Sequence, residues 1–379
     1  MCCLRAIVLG AGKIGPVIAQ DFSGKGIELT VGDIDINRAR DAADEVGGKS
    51  ISFDTTDYDQ MVEILGDFDL VLGALPGDYG LPALRACVET GKDVVDVSFT
   101  PEYPLELDND AREAGITMIP DCGVAPGLSN LLVGYGASRL DSIHEAKIMV
   151  GGIPEKQVPP LGYTVTWSAE GLIDEYIRDV SIVKDGELIQ VPALSGLESI
   201  EFPGVGTLEA FYTDGLRSLV ESFPEAENLY EKTLRYPGHV EKVKLLRELG
   251  FFSEDPVMVR NSEVKPKLVS ARVLERSLTM PDVGDLLAMR VEVSGMKDEE
   301  RLGFSYRVLE YYDHEKDVSA MARTTAYTAS IVAGLLVRGD IQDKGVVPME
   351  KLGANHNLVD NIVSELGKRG VEVEEDIHG

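Results

Sequence analysis

The chain has 379 residues, too many for one ordinary core and enough for two. Hydrophobic residues make up 44% and charged residues 27%, an ordinary balance for a soluble globular protein. The 65 acidic residues outnumber the 36 basic ones, and the net charge of −29 argues against nucleic acid or an anionic membrane as partner, since both need basic patches.

The chain opens on a strand. Ala6-Ile7-Val8-Leu9 is an apolar run that ends in Gly10-Ala11-Gly12-Lys13-Ile14-Gly15, a Gly-x-Gly-x-x-Gly loop, and residues 16–22 can open a helix. This is the strand, phosphate loop and helix of a dinucleotide-binding unit. Gly10 makes the tight turn, Gly12 lets a pyrophosphate approach the backbone, and Gly15 lets helix and strand pack closely. The helix N-terminus offers free N–H donors to the phosphates. A second apolar run over 27–32 ends at Asp33, close to the expected distance downstream. An acid there can accept the ribose hydroxyls of adenosine and repel a 2′-phosphate, which favours NAD. The competing reading is a helix cap, a job that Asp35 or Asn37 could also do.

A helix over 37–46 stops at Gly47-Gly48, and a short third strand over 50–54 follows. Asp54 at its end can approach the adenine or serve as a turn or capping residue. A helix over 58–65 precedes a fourth strand over 68–76, ending in Ala74-Leu75-Pro76. A helix over 81–90, a strand over 93–98, a helix over 110–114 and a strand over 116–121 complete the alternation. The pattern predicts an α/β fold with a Rossmann-type, doubly wound parallel sheet, whose ligands sit beyond the carboxyl ends of the strands. Asp96, Ser98 and Asp121 are found at those ends, the two carboxylates on the nicotinamide side.

The pattern changes after Asp121. A Gly/Pro loop over 122–130 leads into a helix over 131–139. Period-two alternation then appears over 146–151, 162–167, 288–293 and 305–311, with helices between them over 171–178 and 240–249. These predict a second, α+β domain over 123–318 with a mixed or antiparallel sheet. The apolar, small-residue helix over 320–336 is expected to return to the first domain, so that 1–122 is completed by about 319–379. The tail from Gly370, with Glu372, Glu374, Glu375 and Asp376, is expected to fray.

No apolar run approaches the length of a membrane span, and no basic region followed by an apolar core opens the chain. Cys2 and Cys3 are adjacent, Cys87 and Cys122 stand alone, and none has metal-ligand spacing. No metal and a cytosolic location are therefore expected.

These residues resemble the saccharopine dehydrogenase superfamily, most closely its short archaeal and bacterial lysine dehydrogenase branch. The matching pieces are VLGAGKIG, LGALPG, VVDVSF, DCGVAPGLSN, TWSAEGLIDEY, FYTDGLRSL, TLRYPGH, SAMARTTAYTASIVAGLL and KGVVP, in family order over nearly the whole chain. DCGVAPG and TLRYPGH are far more specific than the glycine loop. The resemblance implies a two-domain discontinuous fold, a homodimer or higher homo-oligomer, and hydride transfer between a carbon–nitrogen bond of an amino acid and a nicotinamide. Relatives act on lysine, on saccharopine or on carboxylated polyamines. Oxidative deamination of lysine at its side-chain amine is the leading expectation, with saccharopine or a carboxylated polyamine as alternatives. A nucleotide-binding sensor or structural subunit without turnover is the non-enzyme alternative.

Oxidising an amine requires its neutral form, so a general base or a water relay is needed. Asp121, Asp96 and His239 are the candidates, with a packing or helix N-terminal residue as the competing reading of His239. The family's cleft positions match Ser98 and Asp121. An α-carboxylate calls for a planar, bidentate arginine. Arg217 and Arg235 match family arginines, with an interdomain or surface ion pair as the competing reading. Trp167, the only tryptophan, and Asn130 are candidate walls of the substrate pocket.

Overall fold

The computed structural model describes residues 3–24, 26–101, 104–165 and 169–379. Six short strands alternate with helices at the start: β1 (Leu4–Leu9), α1 (Gly15–Phe22), β2 (Ile27–Asp33), α2 (Ile36–Val46), β3 (Lys49–Ser52), α3 (Tyr58–Leu65), β4 (Leu70–Gly73), α4 (Gly77–Thr90), β5 (Asp93–Asp96), α5 (Asp108–Glu113), β6 (Thr117–Ile119) and α6 (Leu128–Ala137). Local chemistry sets their ends. Asp35 caps α2 by accepting from the Asn37 N–H, and Asp57 caps α3 by accepting from that of Gln60. Helices α2 and α4 stop at Gly47 and Gly91, both left-handed. Helix α4 starts four residues before the expected 81, because Gly77 and Gly80 weaken the helical signal of its first turn. Ile7, Val71 and Val94 on the strands are buried with Leu84 and Cys87 of α4, and this packing fixes the sheet.

The middle of the chain forms β7 (Ser142–Pro154), α7 (Ala169–Ile177), β8 (Val180–Lys184), β9 (Glu187–Val191), β10 (Glu198–Phe202), β11 (Gly206–Thr213), α8 (Leu219–Ser222), β12 (Asn228–Arg235), α9 (His239–Glu248), β13 (Val257–Val259), β14 (Ser262–Val264), α10 (Pro266–Leu278), β15 (Asp285–Lys297) and β16 (Glu300–Tyr311). Strand β15 is the spine, pairing antiparallel with β7 and β16 over most of its length. Strand β12 runs parallel to β7, so the sheet is mixed. The strand expected over 162–167 is not formed in its described part. Instead Thr164 and Val165 donate to the Leu278 carbonyl at the end of α10, and Tyr163 is buried beside α7 and α9. The alternation there reports burial against helices, not a sheet position.

The chain closes with α11 (Ala320–Arg338), β17 (Gly345–Val346), α12 (Met349–Gly353), α13 (His356–Lys368) and β18 (Glu374–His378). Contrary to the expected lack of any span-length apolar run, α11 is long and apolar enough to cross a membrane; 83% of that window is buried inside the protein, as in a core helix. Among the described residues, the first sheet has seven strands in the order β17-β6-β5-β4-β1-β2-β3, all parallel. The second has nine, with the path β10-β11-β12-β7-β15-β16-β18 and the β8–β9 pair attached through β12. The tail is not frayed. Strand β18 pairs antiparallel with β16, and Glu374 and Glu375 form ion pairs with Arg307 and Arg139. Two compact units result: Met1–Ser138 with Ala322–Val371, and Arg139–Met321 with Glu372–Gly379.

Candidate active site

In the first unit the glycine loop is shaped by contacts that leave no room for side chains. Gly10 has φ 100°, and a Cβ there would lie 2.5 Å from the Ala74 carbonyl oxygen. A Cβ on Gly15 would lie 1.8 Å from the Gly10 oxygen, so the start of α1 rests directly on the turn. Gly12 differs, because a Cβ there would meet nothing within 4 Å. Gly12 and Lys13 are exposed and Ile14 is half-buried ahead of α1. The loop therefore presents open backbone at the helix start, which fits a pyrophosphate.

Asp33 ends β2 beside that loop. Its carboxylate accepts from the Ala11 N–H at 2.7 Å and from the Asp35 N–H at 2.9 Å. Because Asp35 caps α2, Asp33 is spared the capping role. The structure puts Asp54 in a local turn: its carboxylate accepts from the Thr56 N–H and hydroxyl, which holds its pKa below the usual range. Ala74, Leu75 and Pro76 follow β4, with the Ala74 carbonyl facing the glycine turn and Pro76 preceding α4.

Asp96 closes β5, 2% exposed. The Ser98 N–H and hydroxyl both donate to it, at 3.1 and 2.9 Å, and the Ser98 hydroxyl in turn accepts from the Leu75 N–H at 3.2 Å. Burial pushes the Asp96 pKa up to about 7, opposed by the Ser98 hydroxyl and reinforced by the negative charge of Asp121. Asp121 follows β6, 7% exposed, with a left-handed φ of 52°. Asp121, which discourages the ionisation of Asp96, thus sits at the end of the neighbouring strand. The proton of the Ser98 hydroxyl is committed to Asp96, so Ser98 supports this pair. Asn130, 2% exposed, accepts from the Gly127 N–H and the Ser129 hydroxyl and thereby fastens the start of α6. Its carbonyl oxygen is used locally, contrary to a substrate-wall role for that atom.

In the second unit, β12 points Glu231, Thr233 and Arg235 to one face, as the period of two requires. Arg235, 2% exposed, pairs with Glu175 of α7 at 3.0 Å and lies over the Tyr163 ring at 4.7 Å. Its Nε has no hydrogen-bond partner among the described residues. Burial pushes the Glu231 pKa up to about 8, reinforced by Glu175 and Asp214 and opposed by Arg217. Arg217 stands in a left-handed conformation just after the Asp214-Gly215 turn. A Cβ on Gly215 would meet the Glu231 carboxylate at 2.0 Å, so a larger residue there would have to displace that carboxylate.

His239 does not fit the role of base. It is fully buried, its Nδ1 meets the Leu161 carbonyl at 2.9 Å and its Nε2 meets the Tyr176 hydroxyl at 2.9 Å. Burial and the nearby Arg235 push its pKa down to about 3, so it is a neutral core residue. Trp167 lies outside the described residues. Sequence reasoning passed over Glu175 and Glu231. The signal for Glu231 was present in the alternation Glu231-Thr233-Arg235, and that for Glu175 in the family string TWSAEGLIDEY. No group of three or more His, Cys, Asp or Glu able to hold a metal occurs among the described residues.

Comparison with known proteins places this architecture. Residues 6–119 match the saccharopine dehydrogenase NADP binding domain, and residues 123–371 match the saccharopine dehydrogenase C-terminal domain. The chain belongs to the saccharopine dehydrogenase family. It is 29% identical over 268 residues to saccharopine dehydrogenase [NADP(+), L-glutamate-forming] of Saccharomyces cerevisiae, which covers 66% of this chain and 59% of that protein. The enzyme of the same name from Pyricularia oryzae is 25% identical over 327 residues, covering 82% of this chain and 72% of that one. Mitochondrial α-aminoadipic semialdehyde synthase of Rattus norvegicus is 25% identical over 283 residues, covering 69% of this chain but 30% of that protein. The solved apo saccharopine dehydrogenase (L-Glu forming) of S. cerevisiae shares the fold, with a TM-score of 0.82 over 99% of this chain and 100% of that one at 21% identity.

Proposed function

We infer that this member of the saccharopine dehydrogenase family is an NAD-dependent oxidoreductase acting on a carbon–nitrogen bond of an amino acid, with oxidation of the lysine side-chain amine as its reaction. The observation that carries the substrate reading is the charge balance in the second unit. Glu175, Asp214 and Glu231 are carboxyls set among the guanidiniums Arg217 and Arg235; Arg178 also acts on Asp214, but it is itself paired with Asp174. Lysine brings one carboxylate and two ammonium groups, which this balance suits. Saccharopine brings three carboxylates and calls for more cations than the cluster offers. In this reading Arg217 and Arg235 take the α-carboxylate, and Glu231 gains its charge when an ammonium arrives beside it. Nicotinamide, when bound, accepts the hydride; the chain supplies position and a place for the proton. In this reading Asp121 takes that proton, beside an Asp96 that Ser98 holds by two hydrogen bonds.

A second reading, saccharopine as substrate, is favoured by the names of the relatives. The two separate in one assay: purified protein with L-lysine or saccharopine, each with NAD and with NADP, followed by nicotinamide absorbance. Turnover of lysine supports the first reading, and turnover of saccharopine alone overturns it. Reduced nucleotide binding without turnover of any amine or imine would leave a nucleotide sensor.

The NAD reading rests on Asp33. Its carboxylate is pinned beside the glycine loop, where a 2′-phosphate would meet a fixed negative charge. The relatives' names carry NADP. Asp33→Ser is expected to weaken NAD and relax discrimination against NADP. Wild-type preference for NADP by about tenfold, roughly 1.4 kcal/mol, would overturn the assignment.

A further inference from the structure

His239 is fully buried, yet each of its ring nitrogens has a partner. Nδ1 lies 2.9 Å from the Leu161 carbonyl and Nε2 lies 2.9 Å from the Tyr176 hydroxyl. That hydroxyl also shares a hydrogen bond with the Arg235 guanidinium. The four residues come from separate parts of the second unit: the segment before α7, α7 itself, the end of β12 and the start of α9. A buried polar chain that ties together four segments and ends on a guanidinium is more than packing requires.

The two ends of this chain fix the direction of every proton in it. A carbonyl can only accept, so Nδ1 of the neutral imidazole carries the proton and donates to Leu161. Nε2 is then an acceptor, and Tyr176 donates to it. A guanidinium can only donate, so Arg235 donates to the Tyr176 oxygen. Each group thus donates to the next, from Arg235 through Tyr176 and His239 to Leu161. Burial pushes the His239 pKa down to about 3 and the Tyr176 pKa up, so neither group changes charge near neutrality. In low dielectric such a chain is strengthened by mutual polarisation.

We propose, on the reading that Arg235 takes the substrate α-carboxylate, that His239 is the positioning residue of that arginine. By accepting the Tyr176 proton it leaves the phenol oxygen facing Arg235 as an acceptor. Without that nitrogen the hydroxyl proton is free to turn towards Arg235, where donor meets donor. The rest of the guanidinium is arranged for a ligand. It carries five N–H donors. The Leu234 carbonyl takes one from Nη1 at 2.9 Å, Glu175 takes one from Nη2 at 3.0 Å, and Tyr176 takes another. Nε is among those left over, and it has no partner among the described residues although Arg235 is 2% exposed. A carboxylate needs two such donors for a forked contact. The Tyr163 ring, 4.7 Å away, covers one face of the guanidinium and limits how it can turn.

The test is steady-state kinetics of the full chain with the amino acid that wild type turns over, beside nucleotide binding and thermal unfolding. Tyr176→Phe and His239→Leu should each raise KM for the amino acid about tenfold, the scale of one lost hydrogen bond to a charged group. Turnover and nucleotide affinity should stay nearly unchanged. His239→Gln, whose amide oxygen can accept from Tyr176, should recover part of the loss. The double variant Tyr176→Phe with His239→Leu should be no worse than either single one, since both break the same chain. Nitrogen NMR of wild type at pH 7 should show His239 neutral and protonated at Nδ1, which keeps the test open if a variant fails to fold. A His239 protonated at Nε2 or charged, a KM indifferent to these substitutions, or losses that multiply in the double variant would overturn the proposal. Arg235→Lys separates this from the underlying reading. If it raises KM while the Tyr176 and His239 variants do not, the proposal alone falls. If it leaves KM unchanged, Arg235 does not hold the carboxylate and both fall.

Discussion

Asp121 and Asp96 show how one local environment divides two acids into different tasks. Asp96 is wrapped by Ser98 and held near neutrality by burial, whereas Asp121 stands after β6 in a strained, left-handed backbone. If Asp121 takes the substrate proton, Asp121→Asn should lower turnover by roughly 10²–10⁴, with nucleotide affinity nearly intact and the acidic limb of the pH–rate profile altered. Full activity with an unchanged profile would remove Asp121 from that role. Asp96 makes a separate prediction about stability. Its folded pKa of about 7 lies above the ordinary 3.8, so the folded state holds a proton that the unfolded state releases between those values. Its contribution is present below about pH 4 and is lost as pH rises towards 7, at up to about 1.4 kcal/mol for each pH unit. Asp96→Asn cannot lose that proton. Chemical denaturation should therefore show the variant gaining on wild type between pH 4 and 8, and a constant difference would contradict the shift.

At the scale of elements, the alternation of strand and helix up to Ile119 was legible because each turn carries its own local signal. Asp35, Asp57, Gly47 and Gly91 are caps that can be read without knowing what they pack against. Residues 162–165 were misread because burial against helices imitates the period of a strand. The tail was misread for the opposite reason. Glu374, Glu375 and Asp376 look like a solvated run, and every residue of β18 is indeed exposed. What makes it a strand is the distant edge of β16 and the cations Arg139 and Arg307, which no local pattern announces. Among site residues, the glycine loop and Asp33 could be read from spacing, but the enclosure of His239 by Leu161 and Tyr176 could not, because those contacts cross 78 and 63 positions. Deleting residues 372–379 should cost about 1–2 kcal/mol from lost strand pairing and exposed ion pairs. It should also bare the β16 edge and promote aggregation. Unchanged denaturation midpoint and light scattering would show that β18 contributes nothing to the fold.

For the whole molecule, the dominant fact is the excess of 29 negative charges, and its effect has to be weighed against the many surface ion pairs. Pairs such as Arg5–Asp69 and Lys351–Asp343 are exposed on both sides, and pairs of this kind contribute only about 0–1 kcal/mol each. Salt weakens them, which would lower stability. Self-repulsion among the surplus carboxylates is distributed over the surface and acts at longer range, and salt weakens that too, which raises stability. With nearly two acids for every base, repulsion should win. The screening length falls from above 10 Å to about 3 Å as ionic strength rises from about 0.05 to 1 M. Over that range the thermal midpoint should rise in NaCl, and potassium chloride should act alike because the effect is screening and not a specific site. The same screening should leave the Arg235–Glu175 pair almost untouched, since Arg235 is 2% exposed. Arg235→Ala should therefore destabilise the protein by a similar amount at low and at high salt, whereas Arg5→Ala should matter little at either. A thermal midpoint that falls as salt is added would mean that the ion pairs, and not the surplus charge, govern the stability of this chain.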